Sequence, residues 1–294
     1  MPKLSHVCLA VAFVLGAASS LVAHAATPAA TAKPTMPNTA AAADPYLWLE
    51  GVTDEKALDW VRERNAKAEA EIASTSEFKT LEADLRAILD SDARIPSVQK
   101  IGDHYYNLWK DKQNPQGLWR RTTLAEYRKP DTKWETVIDL DALGAAEKEN
   151  WVWHGAECLK PKYERCLIAL SRGGSDAEVT REFDLDTKTW VQDGFFRPEA
   201  KGGLQWIDQD TVFVYTDFGS GSMTKSGYPR VVKQWTRGTP MASATLVYEG
   251  KNEDLYIAAY RDLSPGYERD FVNRTLAFYN DELYLRGKDG KLTR

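Results

Sequence analysis

The chain has 294 residues, with 38 Lys and Arg against 43 Asp and Glu, and its net charge of -5 is spread without a dense basic run. That distribution excludes a surface built to follow a phosphate backbone, so nucleic acid is not an expected partner. Ten Trp and thirteen Tyr concentrate in strand-like segments, which suits packed sheets and also grooves for peptide or carbohydrate.

Residues 1–25 read as a secretory signal peptide: Lys3, an apolar run from Val7 to Val22, and Ala23-His24-Ala25 as a small-x-small site cut after Ala25. The run is short for a membrane span, so the processed chain is expected free of the membrane, in the periplasm or secreted, with Cys8 lost alongside the peptide. Residues 26–43 are almost only Ala, Thr and Pro with a single Lys33. Such a stretch buries too little apolar surface to offset its ordering entropy, which predicts a disordered tether.

Residues 44–92 predict a helical segment. Asp44-Pro45 and the aromatics Tyr46 and Trp48 precede a turn at Glu50-Gly51, after which Leu58, Val61, Ala68 and Ile72 fall on one face of a 3.6-residue period. Ser74 with Glu77 three residues on has the form of a capping box. Phe78, Leu81, Leu85 and Ile88 then give a second amphipathic helix that stops near Asp90-Ser91-Asp92.

From Ile95 the period changes to two. Val98–Ile101, His104–Asp111, Leu118–Tyr127 and Trp134–Leu143 predict a four-stranded antiparallel meander with turns at Asn114-Pro115-Gln116-Gly117 and Lys129-Pro130-Asp131. A second unit follows in Trp151–Leu159, Cys166–Ser171, Arg181–Leu185 and Thr189–Val191, and a third in Leu204–Ile207, Thr211–Thr216, Arg230–Thr236 and Thr245–Glu249. A fourth begins with Tyr256–Arg261, Arg274–Phe278 and Glu282–Arg286 and runs toward Arg294. Four short strands repeated at a period near 50 residues predict a β-propeller. The expected fold is therefore mainly β: residues 95–294 as an incomplete, open propeller of about 3.5 four-stranded blades behind the two helices. A β-sandwich would have no reason to repeat at fixed length.

Candidate chemistry is sparse. A nucleophile elbow needs Gly-x-Ser-x-Gly at a strand-to-helix turn, whereas Ser175 lies in Gly173-Gly174-Ser175-Asp176-Ala177 and Ser222 in Gly219-Ser220-Gly221-Ser222-Met223. Both follow strand patterns and precede no helix, so both read as β-turn residues. His104 and His154 are the histidines left after signal removal, each beside strand aromatics, and read as packed or surface residues. Asp184 and Asp186 with Thr187-Lys188 form a solvated turn without the spacing of a calcium loop. Cys158 and Cys166 flank a Lys-Pro-Lys turn; in an exported chain they predict a disulfide across a hairpin, the alternative being two buried thiols. One histidine and two cysteines at this spacing make no zinc motif. No catalytic residue, metal site or cofactor is expected within the chain.

The segments DPYLWLE (44–50) and ALDWVRERNAKA (57–68) resemble the N-terminal region of the prolyl oligopeptidase family of serine peptidases, and GDHYYNLWKDKQNPQGLWRRTTL (102–124) is similar to that family's first blade. The resemblance implies a seven-bladed propeller capping an α/β-hydrolase domain, with entry limited to short peptides and cleavage after proline or, in a related branch, after basic residues. It places the Ser/Asp/His triad in a C-terminal portion outside this sequence, so the chain alone is expected to be inactive. Two alternatives stand beside this reading: a non-catalytic propeller that holds peptide or glycan, and a separately encoded hydrolase domain that docks on the helices.

Overall fold

The structure, a computed structural model, describes residues 44–294; the signal peptide and tether expected at residues 1–43 lie outside the described residues. The chain divides into two compact units, the first ending at Ile72 and the second running Ala73–Arg294.

In the first unit, a 3-10 turn Leu47–Glu50 leads to helix α1, Glu55–Ala68. Asp54 caps it, its Oδ1 accepting from the Lys56 amide at 2.9 Å, which satisfies one of the amides a helix start leaves unpaired. The Trp48 ring meets Trp60 edge to face at 6.3 Å, and the Lys56 ammonium sits 4.6 Å from the Trp48 centroid. The aromatic cluster thus closes on α1 itself. Ala57 is the one buried residue of the helix, while Val61 on the predicted apolar face is exposed. A π-type turn, Glu69–Ala73, prolongs the helix.

In the second unit, helix α2 spans Ser76–Leu89. Its cap is Thr75, not Ser74: Thr75 holds the extended backbone that precedes the helix, and its Oγ1 accepts from the Phe78 amide at 3.2 Å. Phe78, Leu81, Leu85, Ile88 and Leu89 all remain exposed.

Four antiparallel sheets follow in chain order. The first holds β1 (Gln99–Ile101), β2 (His104–Trp109), β3 (Leu118–Thr122) and β4 (Glu135–Asp139). The second holds β5 (Trp151–Cys158), β6 (Arg165–Arg172), β7 (Glu178–Asp184) and β8 (Thr189–Trp190), with β9 (Phe196–Ala200) also paired to β7. The third is β10 (Gly203–Asp208), β11 (Thr211–Tyr215), β12 (Val231–Thr236) and β13 (Thr245–Glu249). The fourth is β14 (Tyr256–Asp262), β15 (Arg269–Ala277), β16 (Asn280–Arg286) and β17 (Leu292–Thr293). The last blade therefore has four strands, its outermost being two residues long.

Two predicted strands end early. Leu118–Tyr127 stops at Thr122, where Thr123 caps a single helical turn, α3 (Leu124–Tyr127), through its Oγ1 and the Glu126 amide. Trp134–Leu143 stops at Asp139, whose Oδ1 accepts from the Ala142 amide at 2.9 Å and starts α4 (Leu140–Glu147). In both places a short polar side chain offers the backbone a cap that competes with strand extension. Strand β9 falls between the second and third predicted units, where no strand was expected; it pairs with β7 alone, so Pro198, which has no amide to give, sits in an edge strand.

Period-two alternation organises three apolar cores between the four sheets. On β6, Cys166, Ile168 and Leu170 face the first sheet and join Tyr106, Trp119 and Ile138, while Leu167 faces the third. On β11, Val212 and Val214 pack toward Phe195 and Trp206, while Phe213 and Tyr215 pack toward Ile257 and Val272 of the fourth sheet. A strand with both faces covered is a continuous apolar run, and Val212, Phe213 and Val214 are fully buried. Each such side chain contributes about 1.5–3 kcal/mol through removal from water. The second unit is an open β-propeller.

Candidate functional site

The glycine-flanked serines are engaged in their own turns. Ser175 Oγ donates to the Ala177 carbonyl at 3.0 Å in the β6–β7 turn. Ser222 Oγ accepts from the Phe218 amide at 2.8 Å and lies 2.7 Å from the Gly219 carbonyl and 3.0 Å from Asp217 Oδ1. Asp184 closes the β7–β8 turn, its Oδ1 accepting from the Asp186 and Thr187 amides. Cys158 and Cys166, directly paired across β5 and β6, form a disulfide.

The histidines sit in two different places. His154 Nδ1 lies 3.1 Å from Glu178 Oε2, beside a cavity of about 260 Å³ between the second and third sheets. Glu178 also receives Arg197 Nη2 at 2.7 Å. The Arg197 side chain is wholly buried, and its remaining donors go to Thr180 Oγ1 and the Ala200 carbonyl. Burial lowers the pKa of Arg197, and the Glu178 charge opposes that shift. Burial also pushes the Tyr215 phenol up to about 12. Gly202, at φ +136°, immediately precedes β10 with its backbone against Tyr215; a Cβ there would fall 2.0 Å from the Tyr215 carbonyl oxygen.

His104 lines a larger cleft, about 600 Å³, between the first two sheets. Arg121 of β3 lies at its base. Its Nε donates to Glu135 Oε2 at 2.6 Å, and its Nη1 donates to the Tyr106 hydroxyl at 3.3 Å and the Leu185 carbonyl at 3.4 Å. Burial works against this guanidinium, but the hydrogen bonds to Glu135 and Tyr106 outweigh it and hold its pKa above the ordinary value. Arg121 and then Lys188 pull Glu135 down to about 2. Because Leu185 and Lys188 belong to the second sheet's β7–β8 turn, these contacts tie the two blades together beneath the cleft. Gly102 in the β1–β2 turn brings the first blade onto the Tyr163 ring, 3.5 Å from where its Cβ would lie.

The pattern of four-stranded sheets and the N-terminal motif have a counterpart among known proteins. The prolyl oligopeptidase N-terminal beta-propeller domain matches residues 26–267. The chain belongs to the prolyl oligopeptidase family. An uncharacterized peptidase of Sinorhizobium fredii is 37% identical over 262 residues, covering 87% of this chain and 36% of that protein. An uncharacterized peptidase of Rickettsia prowazekii is 30% identical over 249 residues, covering 81% of this chain and 34% of its own length. The chain thus spans about a third of the curated relatives it matches. Among solved structures, a post-proline cleaving enzyme from Rickettsia typhi superposes with a TM-score of 0.76 at 30% identity over 84% of this chain and 37% of that one. The propeller is of the N-terminal type found in the prolyl oligopeptidase family.

Within this propeller, the arginines that join the blades were not among the residues singled out from the sequence. For Arg121 a signal was present: alternation along β3 puts it on the same face as Trp119, toward the core. For Arg197 none was, because the segment that carries it lies between the second and third predicted units and was assigned to no strand.

Proposed function

We propose that this propeller serves an exported serine peptidase that hydrolyses short peptides after proline, with the Ser/Asp/His triad on an α/β-hydrolase portion C-terminal to the blades. The observation that carries this reading is the likeness, at 30% identity and a TM-score of 0.76, to a structure described as a post-proline cleaving enzyme. Similarity to an oligopeptidase B from Leishmania major, at 14% identity, bears on fold alone and does not favour cleavage after basic residues. Export is supported by the basic start, apolar run and Ala23-His24-Ala25 site, and by the disulfide at Cys158 and Cys166.

In this reading the blades act by exclusion: a folded protein is too large to pass a propeller that caps the reacting groups, whereas a short extended peptide is not. The test joins residues 44–294 to the hydrolase portion of the Rickettsia typhi enzyme. The expected outcome is turnover of a chromogenic proline peptide, abolished by a serine-directed reagent, with little turnover of the matching arginine peptide or of a folded protein. A folded chimera that prefers arginine, or that digests folded protein as fast as peptide, overturns the proposal.

A further inference from the structure

The cleft between the first and second sheets has the composition of a site for a small ligand carrying both charges. Its rim brings Lys100 and Asp103 from the β1–β2 hairpin opposite Lys162 and Asp186 from the second sheet's loops. Among the described residues none of these four side chains has an ion-pair or hydrogen-bond partner. At the base, Arg121 commits Nε and Nη1 to Glu135, Tyr106 and Leu185, and its Nη2 stays unengaged although the side chain is only 14% exposed. Tyr163, partly exposed, adds aromatic surface to the lining. The volume of about 600 Å³ falls in the range of small-ligand sites, about 300–1,000 Å³.

A purely cationic lining would select an anion, and a purely acidic one a cation. Unpaired lysines and unpaired aspartates facing one cleft match a zwitterion, which satisfies both sets at once. We propose that this cleft binds a free dipeptide, its carboxylate held by Lys100, Lys162 and the open edge of Arg121 and its ammonium by Asp103 and Asp186. The ion pairs beneath the cleft make it a preformed site: Arg121 is fixed by three acceptors, and Lys188 fixes Glu135 from the neighbouring blade, so little ordering cost falls on binding. The site belongs to the propeller alone and does not depend on the proposed peptidase activity.

Calorimetric titration of the full chain with Ala-Pro, N-acetyl-Ala-Pro, Ala-Pro amide and inorganic phosphate tests this. Ala-Pro is expected to bind, with each blocked form at least about tenfold weaker, the loss of one charged contact. Lys162→Ala and Asp186→Asn change exposed, unpaired side chains, so each is expected to keep the wild-type thermal transition while weakening Ala-Pro about tenfold. No heat from Ala-Pro at millimolar concentration overturns the proposal. So does equal affinity for the acetylated form, or displacement by phosphate with no effect of Asp186→Asn, either of which would mark a simple anion site.

Discussion

Arg237 and Glu182, 55 residues apart, meet as a bidentate ion pair between the second and third blades, with Nη1 2.8 Å from Oε2 and Nη2 3.0 Å from Oε1. The Glu182 side chain is 1% exposed and also accepts from the Phe195 amide at 2.9 Å. Removing the arginine leaves a buried carboxylate uncompensated. Arg237→Ala is expected to destabilise the propeller by about 3–5 kcal/mol. Arg237→Lys keeps the charge but not the two-pronged geometry and is expected to cost less. Urea unfolding followed by tryptophan fluorescence checks both; an Arg237→Ala loss below about 1 kcal/mol would mean that the pair does not hold these blades together.

The disulfide closes the β5–β6 hairpin inside the first inter-blade core, where Cys166 is fully buried. Loop-closure entropy for a separation of 8 residues gives about 2–3 kcal/mol. The Cys158→Ala/Cys166→Ala double variant is expected to lose that amount. Unfolding of the wild type with and without reductant should show the same difference, while the double variant should be indifferent to reductant.

Acid should weaken the tie beneath the cleft. Glu135 has its folded-state pKa pulled to about 2, first by Arg121 and then by Lys188. A carboxylate with a depressed folded pKa contributes stability that is present above its unfolded value, near 4.5, and lost as pH falls toward 2. Unfolding measured between pH 5 and pH 2 should therefore fall less steeply in Glu135→Gln than in wild type. Parallel curves would mean that the ion pairs of Glu135 contribute nothing to folding.

Hydrogen exchange should separate helices from blades. Helix α2 buries no residue and α1 buries Ala57 alone, whereas Val212, Phe213 and Val214 of β11 are fully buried with sheet neighbours on both sides. Amides of residues 55–89 in this chain are expected to exchange at least a hundredfold faster than those of 211–215. Equal protection would show that the helical faces are covered in solution.

Gly202 marks a backbone approach no other residue allows. Gly202→Ala would put a methyl against the Tyr215 carbonyl at a φ that side chains rarely adopt. A loss of more than about 2 kcal/mol is expected, and a variant as stable as wild type would place the strand start elsewhere.

Local patterns made much of this architecture legible. The period-two segments from Gln99 onward, cut by Asn-Pro-Gln-Gly and Asp-Thr-Lys turns, marked the blades in order because side-chain alternation is a property of each strand by itself. The two cysteines read correctly as a cross-hairpin bridge for the same reason: residues flanking a tight turn become neighbours whatever else the chain does. Misreadings arose where a capping side chain competed with extension, at Thr123 and Asp139, and β9, in the stretch between two repeats, was not anticipated. The cleft was not legible, since Lys100, Arg121, Lys162 and Asp186 lie on four separate segments and share no spacing.

By itself, then, the amino-acid sequence determined the order of helices and four-stranded units, the cysteine pairing and the family. Only the tertiary structure decided which blade faces which charge: that Arg237 reaches Glu182, that Arg197 is buried against Glu178, and that Lys162 and Asp186 look across a cleft at Lys100 and Asp103. The physical reason is range. Alternation and turn chemistry act over a few residues, whereas contacts between blades depend on register, bulges and sheet twist accumulated over some fifty residues per blade.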